Sequence, residues 1–303
     1  MLYSSTLNAI GNTPLIKVNI SPFNLYAKLE YLNPSGSVKD RSASYMIDYA
    51  EKNGLLKKGG TIIDASSGNH GVSVAMIGAI KGYKTIITVS EKISTEKLKA
   101  IQAYGAKTIM CPATQFISDP KSYHSQAVAL HKKTPNSFMP NQYFNTVNAD
   151  GHYNSLGPEI WKQTNGKITH FFAGAGTGGT ISGAGKYLKE KNPKIKVIAI
   201  DSNNSLRATC GNPKPYKIEG IGIDFKSDVL LENIIDEIVP VSDTDGLAIL
   251  KPLAQNQGLL AGPSSGAVAF AAQEYLKKEN NTDNLGVMIF GDSGRAYLSK
   301  NYY

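Results

Sequence analysis

The sequence predicts an α/β fold in which mostly parallel sheets are flanked by helices. Three observations lead there. Short apolar runs alternate with stretches at helical spacing, as βαβ units do. The same alternation resumes after a break rich in Pro and Asn. Small-residue turns join an apolar run to a helical stretch at Ser66–Gly71 and at Gly174–Thr180.

Residues 12 to 30 supply short strand-like runs, including Leu25-Tyr26-Ala27-Lys28-Leu29. Pro34 and Gly36 interrupt regular structure. Ala43, Met46, Ile47 and Ala50 then recur at helical spacing, with Gly54 as a stop and Ser37 as the expected N-cap. Thr61–Asp64, Thr85–Val89 and Thr108–Cys111 read as strands with helices between them. Thr134-Pro135-Asn136 and Met139-Pro140-Asn141 mark a boundary. Beyond it, Phe171–Ala173, Val197–Ile200 and Val287–Phe290 are the strands of a second alternating half.

Composition narrows the function. The chain has 303 residues, 41% of them hydrophobic and 18% charged, an ordinary globular balance with room for a large core. Its two cysteines, Cys111 and Cys210, form no disulfide framework or CxxC pair, which fits a reducing cytoplasm. Met1-Leu2-Tyr3-Ser4 shows no secretion signal, and no run approaches ~18 apolar residues, so no membrane span is expected. The net charge of +8 is spread along helices. That argues for a solvated surface that attracts anionic substrates and against nucleic acid. The histidines have no metal-ligand spacing, so no metal is expected.

The chemistry concentrates in Asn33-Pro34-Ser35-Gly36-Ser37-Val38-Lys39-Asp40-Arg41. Lys39 falls in a first helical turn, where the helix dipole and any desolvation lower an amine's proton affinity. A neutral amine is what a Schiff base with a carbonyl cofactor requires. The plain alternative is a solvated lysine in a βα turn. The turns Ser66-Ser67-Gly68-Asn69-His70-Gly71 and Gly174-Ala175-Gly176-Thr177-Gly178-Gly179-Thr180 would offer backbone N–H groups to anions. The second also fits a dinucleotide fingerprint, with Asp201 ending a strand about twenty residues on. Taken alone it would favour a nicotinamide cofactor. The Lys39 motif, foreign to that fingerprint, tips the balance.

Together these stretches resemble the fold-type-II pyridoxal phosphate (PLP) enzymes, in particular the cystathionine β-synthase and cysteine synthase family. The resemblance runs from Gly11-Asn12-Thr13-Pro14-Leu15 to Gly294-Arg295-Ala296-Tyr297-Leu298. It implies two domains, each a mostly parallel twisted sheet, as in tryptophan synthase β. Residues 1–36 and 148–303 would form the larger PLP-binding domain and 37–147 a smaller mobile one. It makes Lys39 the Schiff-base residue and acid/base. It assigns Gly176, Thr177, Gly178, Gly179 and Thr180 to the phosphate, where glycines would let the backbone come near. Asn69 would bond the cofactor's ring oxygen and Ser264 the pyridine nitrogen. Ser66, Ser67, Gly68, His70 and Gln142 would hold the substrate carboxylate. Asn69 could otherwise be a turn residue, Gln142 a loop solvator and Ser264 an N-cap.

His70 stands where the synthases usually carry Thr. Ser-Ser-Gly-Asn-His is closer to serine racemases and threonine dehydratases, which leaves elimination open. Glu219-Gly220-Ile221-Gly222-Ile223-Asp224-Phe225 resembles a segment of cystathionine β-synthases. Asp224 is therefore expected to serve a hydroxide leaving group, or in reverse to activate water; its plain reading is an exposed loop carboxylate. Ile223 replaces a common Tyr, leaving the second substrate open. The chain stops soon after its last strand and carries no Cys-Pro-His near its start. A stand-alone core without adenosylmethionine or haem control is thus expected. The expected activity is β-replacement on serine, O-acetylserine or cysteine with sulfide or a thiol. The alternative is β-elimination as a cysteine lyase or serine dehydratase. The resemblance also implies a homodimer.

Overall fold

The computed structural model describes residues 2–114 and 116–303; Met1, at the start of the segment expected in the larger domain, lies outside them. In chain order the elements are β1 (Leu15–Lys17), β2 (Asn24–Leu29), α1 (Lys39–Lys52), β3 (Thr61–Ala65), α2 (Asn69–Lys81), β4 (Lys84–Ser90), α3 (Thr95–Ala103), β5 (Lys107–Cys111), α4 (Tyr123–Lys133) and β6 (Ser137–Phe138). There follow α5 (Val147–Tyr153), α6 (Leu156–Gln163), β7 (His170–Gly174), α7 (Gly179–Lys191), β8 (Lys196–Ser202), β9 (Glu237–Val241), α8 (Asp243–Ala248), α9 (Leu250–Gln257), α10 (Pro263–Glu279) and β10 (Leu285–Phe290).

Two sheets result. One has six strands in the order β1-β2-β10-β7-β8-β9, the other four in the order β5-β4-β3-β6. Every pairing is parallel except that of β1 with β2. The central strands β3 and β7 are buried along almost their whole length, as parallel strands covered on both faces must be. Leu25, Ala27, Phe172, Ile198 and Met288 pack with α10 on one face of the larger sheet. Phe171, Ala173, Val197 and Val287 pack with α6 and α7 on the other. The smaller sheet buries Ile62 and Ile87 against Ala43, Ile47, Val74 and Ile77 of α1 and α2.

The seven strands named from the sequence are all present, and β1 falls in the 12–30 stretch read as strand-like. Two others were not anticipated. β6 is only two residues long, and β9 contains Pro240. A proline cannot donate to a ladder, so it is confined to an edge, and β9 is the edge strand. The expected cap of α1 needs correction. Val38, in helical conformation, occupies the N-cap position, while Ser37 Oγ accepts the Lys39 amide at 3.3 Å. The stop lies where expected, with Asn53 closing α1 and Gly54 following at φ +70°.

The turns that leave β3, β6, β7 and β10 at their C-terminal ends converge between the two sheets, where open parallel sheets place their binding crevices.

Candidate active site

A cavity of about 350 Å³ lies where those turns meet. Lys39 opens α1 on its wall. The helix start is held from below: Val38 N donates to Gly291 O at 2.8 Å, and Ser37 bridges to Asp292. Two residues on, Arg41 is buried. Its Nε donates to Glu30 Oε2 at 2.6 Å and its Nη1 to Glu159 Oε1 at 2.7 Å. Buried Lys28 of β2 donates to Glu159 Oε2 at 2.8 Å. This network ties the first turn of α1 to β2 and α6, fixing where Lys39 emerges.

The Lys39 amine is enclosed by protein but keeps part of its surface on the cavity. Burial lowers its pKa and the charge of Asp292 pulls it partly back, leaving it at about 8. Desolvation thus dominates the shift the sequence suggested. Its hydrogen bond to Thr177 Oγ1 is long, 3.5 Å.

Facing it, the turn after β7 runs into α7, a 13-residue helix whose N-cap is Gly178 at φ +93°. Gly176, Thr177, Gly178 and Thr180 line the cavity; Gly179 lies just behind. The glycines are needed for a reason other than close approach to an anion. A Cβ on Gly176 would stand 2.8 Å from Gly220 O, one on Gly178 2.7 Å from Leu230 Cα, and one on Gly179 2.1 Å from Asn148 Oδ1. Protein atoms crowd each of these positions, so no side chain fits there. Thr180 Oγ1 lies 3.3 Å from His152 Nε2. Burial, then the charges of Lys39 and Arg41, push that imidazole well below its usual pKa, so it is neutral.

Ser66, Ser67, Gly68, Asn69 and His70 are all on the wall, at the turn from β3 into α2. Ser66 Oγ accepts Gly71 N at 3.0 Å and Ser67 Oγ accepts Ser90 N at 2.6 Å, so both hydroxyl oxygens shape the turn. Asn69 Nδ2 donates to Asp292 Oδ2 at 2.7 Å. The His70 side chain is fully buried beneath the turn, its Nε2 3.1 Å from Asp64 Oδ2. Asp64 Oδ1 in turn accepts Asn141 N at 3.1 Å, linking this turn to the one bearing Gln142. Gln142 is buried with Oε1 unpartnered on the cavity wall. Ser264 also lines the cavity, as the second residue of α10 after Pro263; Gly262 is the N-cap.

Asp224 is not on the wall. It is exposed and shares a hydrogen bond with Tyr216, which is on it. Burial raises the Asp224 carboxyl and the Tyr216 bond offsets part of the rise. The sequence assigned no site role to Lys97, Tyr143, Tyr216, Asp292 or Tyr297, which also line the cavity. Lys97 resembled one more surface lysine of an amphipathic helix. Asp292 carried a signal, since it sits just past a strand of the alternating pattern.

A family model described as pyridoxal-phosphate dependent enzyme matches residues 6–291. Cystathionine beta-synthase of Apis mellifera is 45% identical over 97% of this chain, which spans 60% of that protein. A crystal structure of O-acetylserine dependent cystathionine beta-synthase from Helicobacter pylori superposes with a TM-score of 0.93. It is 37% identical, covering 100% of this chain and 99% of that one. A crystal structure of a hydrogen sulfide-producing enzyme from Fusobacterium nucleatum gives 0.92 at 39% identity, covering 98% and 99%.

Proposed function

This chain belongs to the pyridoxal-phosphate dependent enzyme family, and we propose that it catalyses β-replacement on serine, O-acetylserine or cysteine, with sulfide or a thiol such as homocysteine as second substrate. The observation that carries the reading is the Lys39 amine: enclosed, lowered to about 8, bonded to no carboxylate, and facing the N-terminus of α7 across the cavity. An amine so placed fits an aldehyde cofactor, and the glycine turn backed by protein fits its phosphate. Gly176–Thr180 would hold the phosphate, Asn69 the ring oxygen and Ser264 the pyridine nitrogen.

When bound, the cofactor supplies an electron sink for the substrate's Cα. Lys39 would anchor it, and the Lys39 amine would take the substrate's Cα proton and later return it. A pKa near neutrality suits both directions of that transfer. The Ser66–His70 turn and Gln142 hold the substrate carboxylate, and the unpartnered Gln142 Oε1 leaves that side chain free to turn its amide to the ligand. A neutral Ser264 hydroxyl does not keep the pyridine nitrogen protonated, which favours prompt loss of the β-group. Asp224 serves a hydroxide leaving group by way of Tyr216, whose hydroxyl it engages and which reaches the wall.

β-Elimination is the second reading. It is favoured by His70 and by the Fusobacterium neighbour, itself a hydrogen sulfide-producing enzyme. Incubation with each donor, with and without thiol, separates the two. Replacement yields a thioether or cysteine and little pyruvate; elimination yields pyruvate and ammonia without a thiol. A purified protein that gains no visible absorption with PLP, or keeps it after Lys39→Ala and borohydride, would overturn the cofactor reading.

Segment 37–147 carries the whole four-stranded sheet with α1–α4, and residues before 37 give β1 and β2 to the larger sheet. That supports the two-domain division. Cys111 and Cys210 are unpaired, which supports a reducing, cytoplasmic location. No helix among the described residues is long and apolar enough to cross a membrane. Light scattering tests the homodimer, expected at twice 32.5 kDa.

A further inference from the structure

Asp292 follows the end of β10 and is 4% exposed. Its backbone touches two of the turns that line the site. It bridges to Ser37, two residues before Lys39, and its carbonyl accepts Gly262 N at 2.9 Å, two residues before Ser264. Its carboxylate reaches a third, where Oδ2 accepts Asn69 Nδ2 at 2.7 Å. The same oxygen accepts Tyr297 Oη at 2.6 Å. Tyr297 Oη accepts in turn from Lys97 Nζ at 3.2 Å, and Lys97 is paired with Glu219 of the opposite wall.

Asn69, Lys97 and Asp292 also line a second cavity of about 420 Å³ behind the first. They form a partition with space on both sides. Packing alone cannot fix a side chain there, so the hydrogen bonds set its position. A carboxylate accepts and does not donate, which dictates the end of the Asn69 amide that faces it. One amide hydrogen is taken by Asp292, and the other is left for an acceptor in the cavity.

We propose that Asp292 is the positioning residue for the cofactor, fixing the Asn69 amide for the ring oxygen and locking the turns before Lys39 and Ser264 to it. Tyr297 and Lys97 hold the carboxylate in place. Burial raises the Asp292 carboxyl, and the Lys97 charge and the bonds from Tyr297 and Asn69 offset part of that rise. The proposal rests on PLP occupying this cavity.

The test is a double-mutant cycle read by PLP dissociation constant and by the absorption spectrum of the PLP-loaded protein. Asp292→Asn is nearly isosteric, removes the charge and turns one of the two acceptor oxygens into a donor. It is expected to weaken PLP binding roughly tenfold or more, as loss of a hydrogen bond to a charged group does, and to shift the visible band. Asn69→Ala does the same, and, measured well above pH 8 where the Asp292 charge no longer changes the protonation of Lys39, the double variant is no weaker than Asn69→Ala alone, because Asp292 then acts through Asn69. Unchanged affinity and spectrum in Asp292→Asn, or effects that multiply in the double variant, overturn the proposal. If Asp292→Asn does not fold, Tyr297→Phe enters the same cycle with a smaller effect expected, and an unchanged affinity and spectrum there overturn it equally. Wild-type protein that takes up no PLP overturns the cofactor reading, and the proposal with it.

Discussion

Lys39 could be read from its neighbours in the chain, because the helix start and the glycine-bearing turn that identify it are contiguous. Asp292 could not: its partner Asn69 is 223 positions away, and only the fold brings the two together. The consequence for Lys39 is measurable. The neutral amine reacts with an aldehyde, so PLP uptake by cofactor-free protein should rise with pH through about 8. Asp292 raises that pKa, so Asp292→Asn should move the midpoint to lower pH, followed by the pH dependence of the uptake rate. Asp224 makes a second prediction. Hydroxide needs a proton to leave and acetate does not. Asp224→Asn should therefore cut turnover of serine by about a hundredfold and that of O-acetylserine far less, in side-by-side kcat assays. Equal losses would remove Asp224 from the leaving-group step.

At the level of elements, the placement of α1 depends on the buried network of Lys28, Glu30, Arg41 and Glu159. Periodicity gave the helix, but nothing in it showed that Arg41 points inward with two carboxylates. A charged residue in a first turn reads as solvated until its partners, 11 and 118 positions away, are seen. Arg41→Met leaves Glu30 buried without its counter-ion and should cost about 3–5 kcal/mol in urea unfolding. Glu159 gives the acid dependence. Burial alone would raise its carboxyl, but the bonds and charge of Arg41 and the charge of Lys28 outweigh it and hold it at about 2. Its pKa in the folded state is thus below the unfolded value of about 4.3. The stability it contributes is complete above that value and is lost as pH falls toward 2. Glu159→Gln should therefore be less stable than wild type at pH 7 by about 3 kcal/mol, with the gap closing below pH 4. β9 shows the converse limit, since Pro240 obscures a strand that only its edge position permits.

At the scale of the molecule, the alternation of strand and helix disclosed both sheets, but the break read near residues 134–141 contains β6, the last strand of the smaller one. The order of strands was not legible, because pairing is decided by faces that meet after folding. The cavity draws its walls from turns of both sheets, so a ligand there holds them together. Saturating PLP at about a hundred times its dissociation constant should add about 2.7 kcal/mol to stability, and Lys39→Ala should show a smaller gain in thermal unfolding.

In the larger sheet, β2 lies between β1 and β10, and Asn24 of β2 is bonded to Thr282, 258 positions later. A ribosome delivers β2 long before β10. Until β10 emerges, one flank of β2 stays without its parallel neighbour, while β3 to β6 can already assemble. The nascent polypeptide therefore carries an unsealed apolar margin throughout that interval, a natural client surface for a chaperone.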